Sequence, residues 1–185
     1  LRKLKKSSMR LGINSVKLKE CDGLVSAGNT GALMAISKFV LKTIKAIDRP
    51  AIAALMPTMK GQTVILDLGA NVECSSENLV QFAIMGDMFS RSVLGIKRPK
   101  LGLLNVGSEQ IKGNTVVKKT FDDLKKMNSK INFFGFVEGN DINKGVVDVI
   151  VTDGFSGNIA LKTAEGVAEL IFTFLKNAYA SSLIS

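Results

Sequence analysis

Four stretches set glycine and short polar side chains between an apolar run and a helical pattern. They are SAGNTGALMA (Ser26 to Ala35), LDLGANVEC (Leu66 to Cys74), LLNVGSEQIKGN (Leu103 to Asn114) and DGFSGNIALKT (Asp153 to Thr163). A strand that ends in such residues and turns at once into a helix gathers backbone N–H groups and small dipoles at one point, where α/β proteins hold anions. Four such junctions can share one crevice. The candidates for anion contact are Ser26, Gly28, Asn29 and Thr30 in the first, Asn71 in the second, Lys112, Gly113 and Asn114 in the third, and Asp153, Gly157 and Asn158 in the last. Any one junction also reads as an ordinary helix entry, because Gly and Asn serve tight turns at low cost. Four together, with Asn in each, favour a shared site.

The chemistry open to these residues is narrow. Histidine is absent from the sequence, so histidine general acid/base work, a Ser-His-Asp arrangement and His-ligated zinc cannot be built from it. Amides, backbone donors, lysine and carboxylates remain. SAGNTG supplies GxxG rather than a dinucleotide fingerprint, and GSEQIKG lacks the Gly-Lys-Ser/Thr ending of a P-loop. Cys21 and Cys74 lie far apart without CxxC spacing and make neither a disulfide framework nor a metal cage. No cofactor or metal is expected, and the cytoplasm is the default compartment.

The elements that must carry these loops follow from periodicity. Ser8 to Lys19 reads as a helix, Gly23 to Ala27 as a short strand, and Thr30 to Ile44 as a helix burying Leu33, Ile36, Val40 and Ile44. Ala51 to Met56 and Thr63 to Leu68 are separated only by PTMKGQ, too short for a crossover helix, so they pair as a hairpin and make the sheet mixed. Ser76 to Leu94 is a helix with Leu79, Phe82, Ala83, Met85, Met88 and Phe89 on its apolar side, capped by Ser75 or Ser76. Strands at Leu101 to Val106, Ile131 to Val137 and Val146 to Thr152 then alternate with a basic helix at Thr115 to Met127 and a last helix from Ser156 to about Leu183. Around that helix, apolar residues from Ala164 to Tyr179 fill an arc of roughly 200 degrees, wider than the ~100 degrees one core face needs. The surplus calls for a dimer partner, with membrane contact at the far end, Leu183 and Ile184.

Length and charge bound the class. The 185 residues make a single domain, residues 1–185, and a start at Leu1 rather than Met reads as a fragment of a longer chain. No run of about 18 apolar residues is present, so neither a spanning helix nor a secretory signal is expected in this stretch. Twenty-five Lys and Arg against 16 Asp and Glu give +9, concentrated in Leu1 to Lys19 and Lys97 to Lys130. That balance suits an acidic partner or a solvated surface. With one Tyr and no Trp, nucleic-acid binding is not expected.

Taken together, SAGNTGALMA, LDLGANVECSSENLVQFAIMGDMFS, LGLLNVGSEQIKGN and FVEGNDINKGVVDVIVTDGFSGNIALKT resemble the PlsX family of phosphate acyltransferases, in the family's order. The resemblance runs from Ser8 to nearly the end. It implies a three-layer α/β/α fold with a mixed, mostly parallel sheet, like that of phosphotransacetylases and the isocitrate dehydrogenase group. It also implies transfer of an acyl group from acyl carrier protein to inorganic phosphate for phospholipid synthesis, in a homodimer with peripheral membrane contact. The family's DAMGGD opening and YGGAPLLG closing stretches are absent here, so the N- and C-terminal parts of the site are expected outside this fragment. Ser108 and Gln110 stand where the family often has glutamate, which leaves Glu109 as the loop's acid.

The residues suit that reaction on their own terms. Phosphate already presents an ionised oxygen and thiolate leaves readily, so little general-base help is needed. Charge neutralisation and oxyanion donors are needed instead. Lys112 fits the first task and Asn158, with backbone N–H groups near Gly157, the second. Asp153 is either a turn former or a partner that orients Lys112. Cys74 is either a covalent nucleophile or a buried cysteine at a helix entry, and the lack of histidine favours burial. Two further readings stay open: a phosphate acetyl- or butyryltransferase using coenzyme A, and a non-catalytic carrier-protein or membrane docking module.

Overall fold

The computed structural model describes residues 6–180. Leu183 and Ile184, and the first five residues of the basic run, lie outside it.

Two helices come first. Ser7 caps α1 (Ser8–Lys17) by accepting from the Arg10 N–H, and Asn29 caps α2 (Thr30–Leu41) by accepting from the Ala32 N–H. Ile13 of α1 packs on Ile36 and Val40 of α2, with Met9 and Leu33 at the edges of the cluster. The strand expected at Gly23 to Ala27 does not form. The segment is extended but finds no strand to pair with among the described residues, and Val25 is 100% exposed. An apolar run specifies a strand only when a neighbouring edge receives its hydrogen bonds. The helix α2 also stops at Leu41, because Lys42 turns to a φ of 68°; Ile44, expected on the buried face, is exposed instead.

The sheet is built from β1 (Ala53–Thr58), β2 (Gly61–Leu66), β3 (Lys100–Leu104), β4 (Asn132–Val137) and β5 (Val149–Val151), in the order β1-β2-β5-β3-β4. The hairpin expected from PTMKGQ is present: β1 and β2 pair antiparallel with Thr58 opposite Gly61. All other pairings are parallel. The sheet is therefore mixed and mostly parallel.

One face is covered by α3 (Ser76–Val93) and α4 (Thr115–Lys126). Leu79, Phe82 and Ala83 of α3, and Val117 and Leu124 of α4, close on Val64, Leu66, Leu101, Leu103, Val149 and Val151. Phe82 is wholly buried; burying a side chain of that size stabilises by about 1.5–3 kcal/mol. Met88 and Phe89, expected on the same apolar side, are exposed, because the buried stripe continues through Gly86, Asp87 and Ser90 instead. Lys119 of α4 pairs with Glu77 of α3 and lowers that carboxyl to about 2. The opposite face, Ile65, Val137 and Ile150, is covered by Ile142 and Val147 of the β4–β5 connection and by Ala160 and Leu161 of α5 (Gly154–Ala180). The result is three layers, with α5 starting two residues earlier than expected. No described helix is long and apolar enough to cross a membrane.

Candidate active site

Parallel strands β2, β5 and β3 end at the same edge of the sheet, so the loops that follow them meet. They enclose a cleft of about 520 Å³ whose walls include Val72, Cys74, Asn114, Asp153, Phe155 and Ser156. The loop after β2 forms one wall, and the first turns of α4 and α5 form the others. Two helix N-termini therefore turn their positive dipole ends toward it, although the N–H groups of Gly154, Ser156 and Gly157 in α5 and of Val117 in α4 are already bonded within the protein.

The layer behind the cleft lining, its supporting floor, is organised by Asp67, which is fully buried. Its Oδ1 accepts from the N–H groups of Ile52 (2.9 Å) and Ala70 (3.0 Å), and its Oδ2 accepts from Asn71 N (2.7 Å) and Asn71 Nδ2 (2.8 Å). The Asn71 amide also donates to the Pro50 carbonyl at 2.8 Å, so both of its donor directions point into the floor. The Asn71 carbonyl in turn accepts from Gly154 N at 2.8 Å.

The first turn of α5 sits unusually close to this loop. A Cβ at Gly157 would lie 2.0 Å from the Asp67 carbonyl oxygen, and one at Gly154 would lie 2.6 Å from the Asn71 carbonyl oxygen. Only glycine permits that approach. Asp153 caps the helix, accepting from Ser156 N at 2.8 Å and Ser156 Oγ at 3.0 Å. Of the two roles left open for Asp153, the structure shows the turn former, with no bond to Lys112. Asn158 is exposed one turn further on, beside Gly69.

The loop after β3 is held by Asn105, whose Nδ2 donates to the carbonyls of Gly107 (3.0 Å) and Lys112 (3.2 Å). Gly113 follows with a φ of 95°, which brings its Cα against the Asn105 amide, and Asn114 Oδ1 caps α4 through Val117 N at 2.9 Å. Lys112 is exposed and its ammonium is 2.9 Å from Glu109 Oε1. That hydrogen bond and charge raise the Lys112 pKa above 10.5, with a smaller contribution from Glu138, and lower that of Glu109. Glu138 itself accepts from Ser108 N at 3.1 Å, tying the loop to the end of β4.

Cys74 lines the cleft but is half-buried, and its Sγ donates weakly to the Asn71 carbonyl at 3.5 Å. Burial is the largest influence on it and pushes its pKa up, with the Asp67 and Asp153 carboxylates adding to the effect. A thiol so placed is poorly ionised near neutral pH.

The structure thus brings three of the four junctions together. Asn114 and Asp153 stand in the cleft wall, Asn71 and Gly157 lie behind the lining, Asn158 is not among the lining residues, and Lys112 and Gly113 belong to the loop that leads into α4. The fourth junction stands apart. Asn29 caps α2, Ser26 Oγ accepts from Gly28 N at 3.2 Å, and Thr30 lines a separate hollow of about 370 Å³ shared with Pro50. Sequence reasoning passed over Asp67, Asn105 and Ser156. An Asp closing the apolar run of β2 immediately before Leu-Gly-Ala-Asn was the available signal for the first.

Known proteins resemble the chain in sequence and in fold. The sequence profile of the fatty acid synthesis protein family matches residues 1–185. A protein of Paramagnetospirillum magneticum named phosphate acyltransferase is 60% identical over 185 residues, which is all of this chain and 53% of the relative. One of Rhodospirillum centenum with the same name is also 60% identical, over all of this chain and 52% of its own length. The chain thus spans about half the length of these relatives. Among solved structures, the EutD phosphotransacetylase of Staphylococcus aureus superposes with a TM-score of 0.66 over 86% of this chain and 55% of that one, at 21% identity. At that identity the likeness concerns the fold, which is the three-layer arrangement described above. With the family profile covering every residue, the chain belongs to the fatty acid synthesis protein family.

Proposed function

We propose that this chain carries part of the active site of an enzyme that transfers an acyl group from the thioester of acyl carrier protein to inorganic phosphate. The observation that supports it most is the cleft at the carboxyl ends of β2, β5 and β3, where two helix N-termini meet beside a lysine loop. An oxygen of phosphate attacks the thioester carbonyl carbon, the C–O bond forms, and the tetrahedral intermediate collapses as the C–S bond breaks and thiolate leaves. Lys112 neutralises the phosphate charge during approach, and Gly113, Asn114 and the first N–H groups of α4 cradle its oxygens. Asn158 receives the oxyanion, while the N–H groups of Gly154, Ser156 and Gly157, already donated to Asn71 and Asp153, hold the start of α5 in place. Asn71 and Gly157 act through the backbone geometry they permit, and Asp153 by fixing the start of α5. The relatives' shared name, phosphate acyltransferase, agrees with this reaction.

The assembly we propose is a homodimer that meets through α5. Beyond Leu161 the apolar side chains of this helix, among them Val167, Ile171, Phe174 and Leu175, stay exposed, although the helix covers the sheet at its start. A hollow of about 760 Å³ separates Ala164, Val167 and Ile171 from Met56, Ile65 and Leu68.

Thiol release by the full-length protein, measured with and without phosphate, tests the reaction. Release from acyl carrier protein thioester that requires phosphate, with acyl phosphate trapped as a hydroxamate, is the expected result. Turnover only with acyl coenzyme A would make the protein a phosphate acetyl- or butyryltransferase type. Carrier binding without any turnover would make it a docking module.

A further inference from the structure

Most of the polar side chains around the cleft are exposed or capped locally, but one is buried at the centre of the connections between three segments. Asp67 receives four N–H groups and forms no ion pair among the described residues. Two carboxylate oxygens can accept four such bonds without donating any, which an amide of the same shape cannot do. The donors come from the segment before β1, through Ile52, and from the turn after β2, through Ala70 and Asn71. The same residue's carbonyl oxygen is the surface against which Gly157 packs, and Asn71, held by the carboxylate, gives its own carbonyl to Gly154 N. Asp67 therefore determines where the turn after β2 lies, and that turn determines where α5 begins.

We propose that Asp67 is a positioning residue of the transfer site, fixing the first turn of α5, and with it Asn158, relative to the cleft in which the oxyanion develops. The proposal rests on the acyl-transfer reading given above. It explains why a buried carboxylate occupies a place that an apolar side chain could fill: the turn presents several N–H groups at one point, and a carboxylate can satisfy all of them while holding a sub-ångström register. A donor displaced by a fraction of its hydrogen-bond length still binds the substrate carbonyl but loses the charge that builds up later. Asp67 should consequently act on turnover and hardly at all on substrate binding.

The test uses Asp67→Asn in the full-length protein, with Gly157→Ala as a second variant that pushes α5 off the Asp67 carbonyl without touching the carboxylate. Both should lower kcat by about a hundredfold while KM for phosphate stays within about threefold. A variant that is folded by far-UV circular dichroism and keeps kcat within about threefold overturns the proposal. So does a loss of activity that only tracks the unfolded fraction in a urea titration. If Asp67→Asn does not fold, Asn71→Ala, which removes the amide spanning Pro50 and Asp67, is scored by the same split.

A second readout does not depend on activity. Cys74 Sγ lies against the Asn71 carbonyl, whereas Cys21 is exposed and distant in sequence, so the two thiols report the turn and a control. In Asp67→Asn, labelling of Cys74 by a thiol reagent should accelerate about tenfold while Cys21 is unchanged. Equal Cys74 rates in variant and wild type overturn the positioning role even if the wild type proves to have no phosphate-dependent transfer. That last result by itself would count against the acyl-transfer reading and not against the placement of α5.

Discussion

Lys112 carries its charge into a loop where one carboxylate already holds it, and phosphate must share that ammonium with Glu109. Replacing Lys112 with Ala in the full-length enzyme should lower turnover about a hundredfold or more, since a positioned cation at a charged transition state counts mainly toward rate. Its exposure means the melting temperature should stay within about 2 °C of wild type, as read by calorimetry. The raised pKa fixes the sign of the pH effect: Glu109 holds the charge on Lys112 to higher pH than a free lysine keeps it, so alkaline loss of activity traceable to this group should come later than for a free lysine. In Glu109→Gln that loss should move to lower pH. Cys74 gives the opposite expectation. A thiol kept protonated by burial is no nucleophile, so Cys74→Ala should retain activity within about threefold, measured as thiol release from the acyl donor.

At the scale of elements, the start of α5 depends on a cap. Asp153 satisfies the Ser156 N–H and hydroxyl together, so Asp153→Ala should cost about 1 kcal/mol, visible as a lower urea midpoint with an unchanged slope. Much of this level was legible in the sequence. The hairpin followed from the short PTMKGQ connection, and α3 followed from Leu79, Phe82 and Ala83, which pack against the sheet as their spacing requires. What could not be read is what depends on distant partners. Gly23 to Ala27 looks like a strand because apolar runs usually are, yet pairing is a property of two segments. The Asp67 hub escaped notice for the same reason, because one of its donors, Ile52, lies fifteen residues away. The Asn residues were read as anion ligands, whereas three of them first serve the chain: Asn29 and Asn114 as caps and Asn71 in the floor.

For the whole molecule, the proposed dimer rests on the exposed apolar side chains of α5. Leu170 is 51% and Phe172 67% exposed on α5. Leu170→Glu with Phe172→Glu should turn the full-length protein monomeric in sedimentation equilibrium, since charges are poorly tolerated in an apolar interface. A double variant that stays dimeric and loses only liposome binding would assign the helix to membrane instead.

The strand order has a further consequence, for the time course of folding. The strand β5 is the last to be made, yet it lies between β2 and β3, both made long before it. The hairpin β1–β2 and the β3–α4–β4 unit can each form from nearby residues, but among the described residues the backbone hydrogen bonds that join them run through Asp148 to Val151, with Val64 N donating to the Asp148 carbonyl and Asp148 N to that of Lys100. On a ribosome the two halves must therefore wait for residue 151 to clear the exit tunnel, exposing the edges of β2 and β3 meanwhile. Pulse-labelled hydrogen exchange during refolding should show Val64 to Leu66 and Leu101 to Leu103 gaining protection in one step together with β5, because a three-residue strand closes the whole sheet.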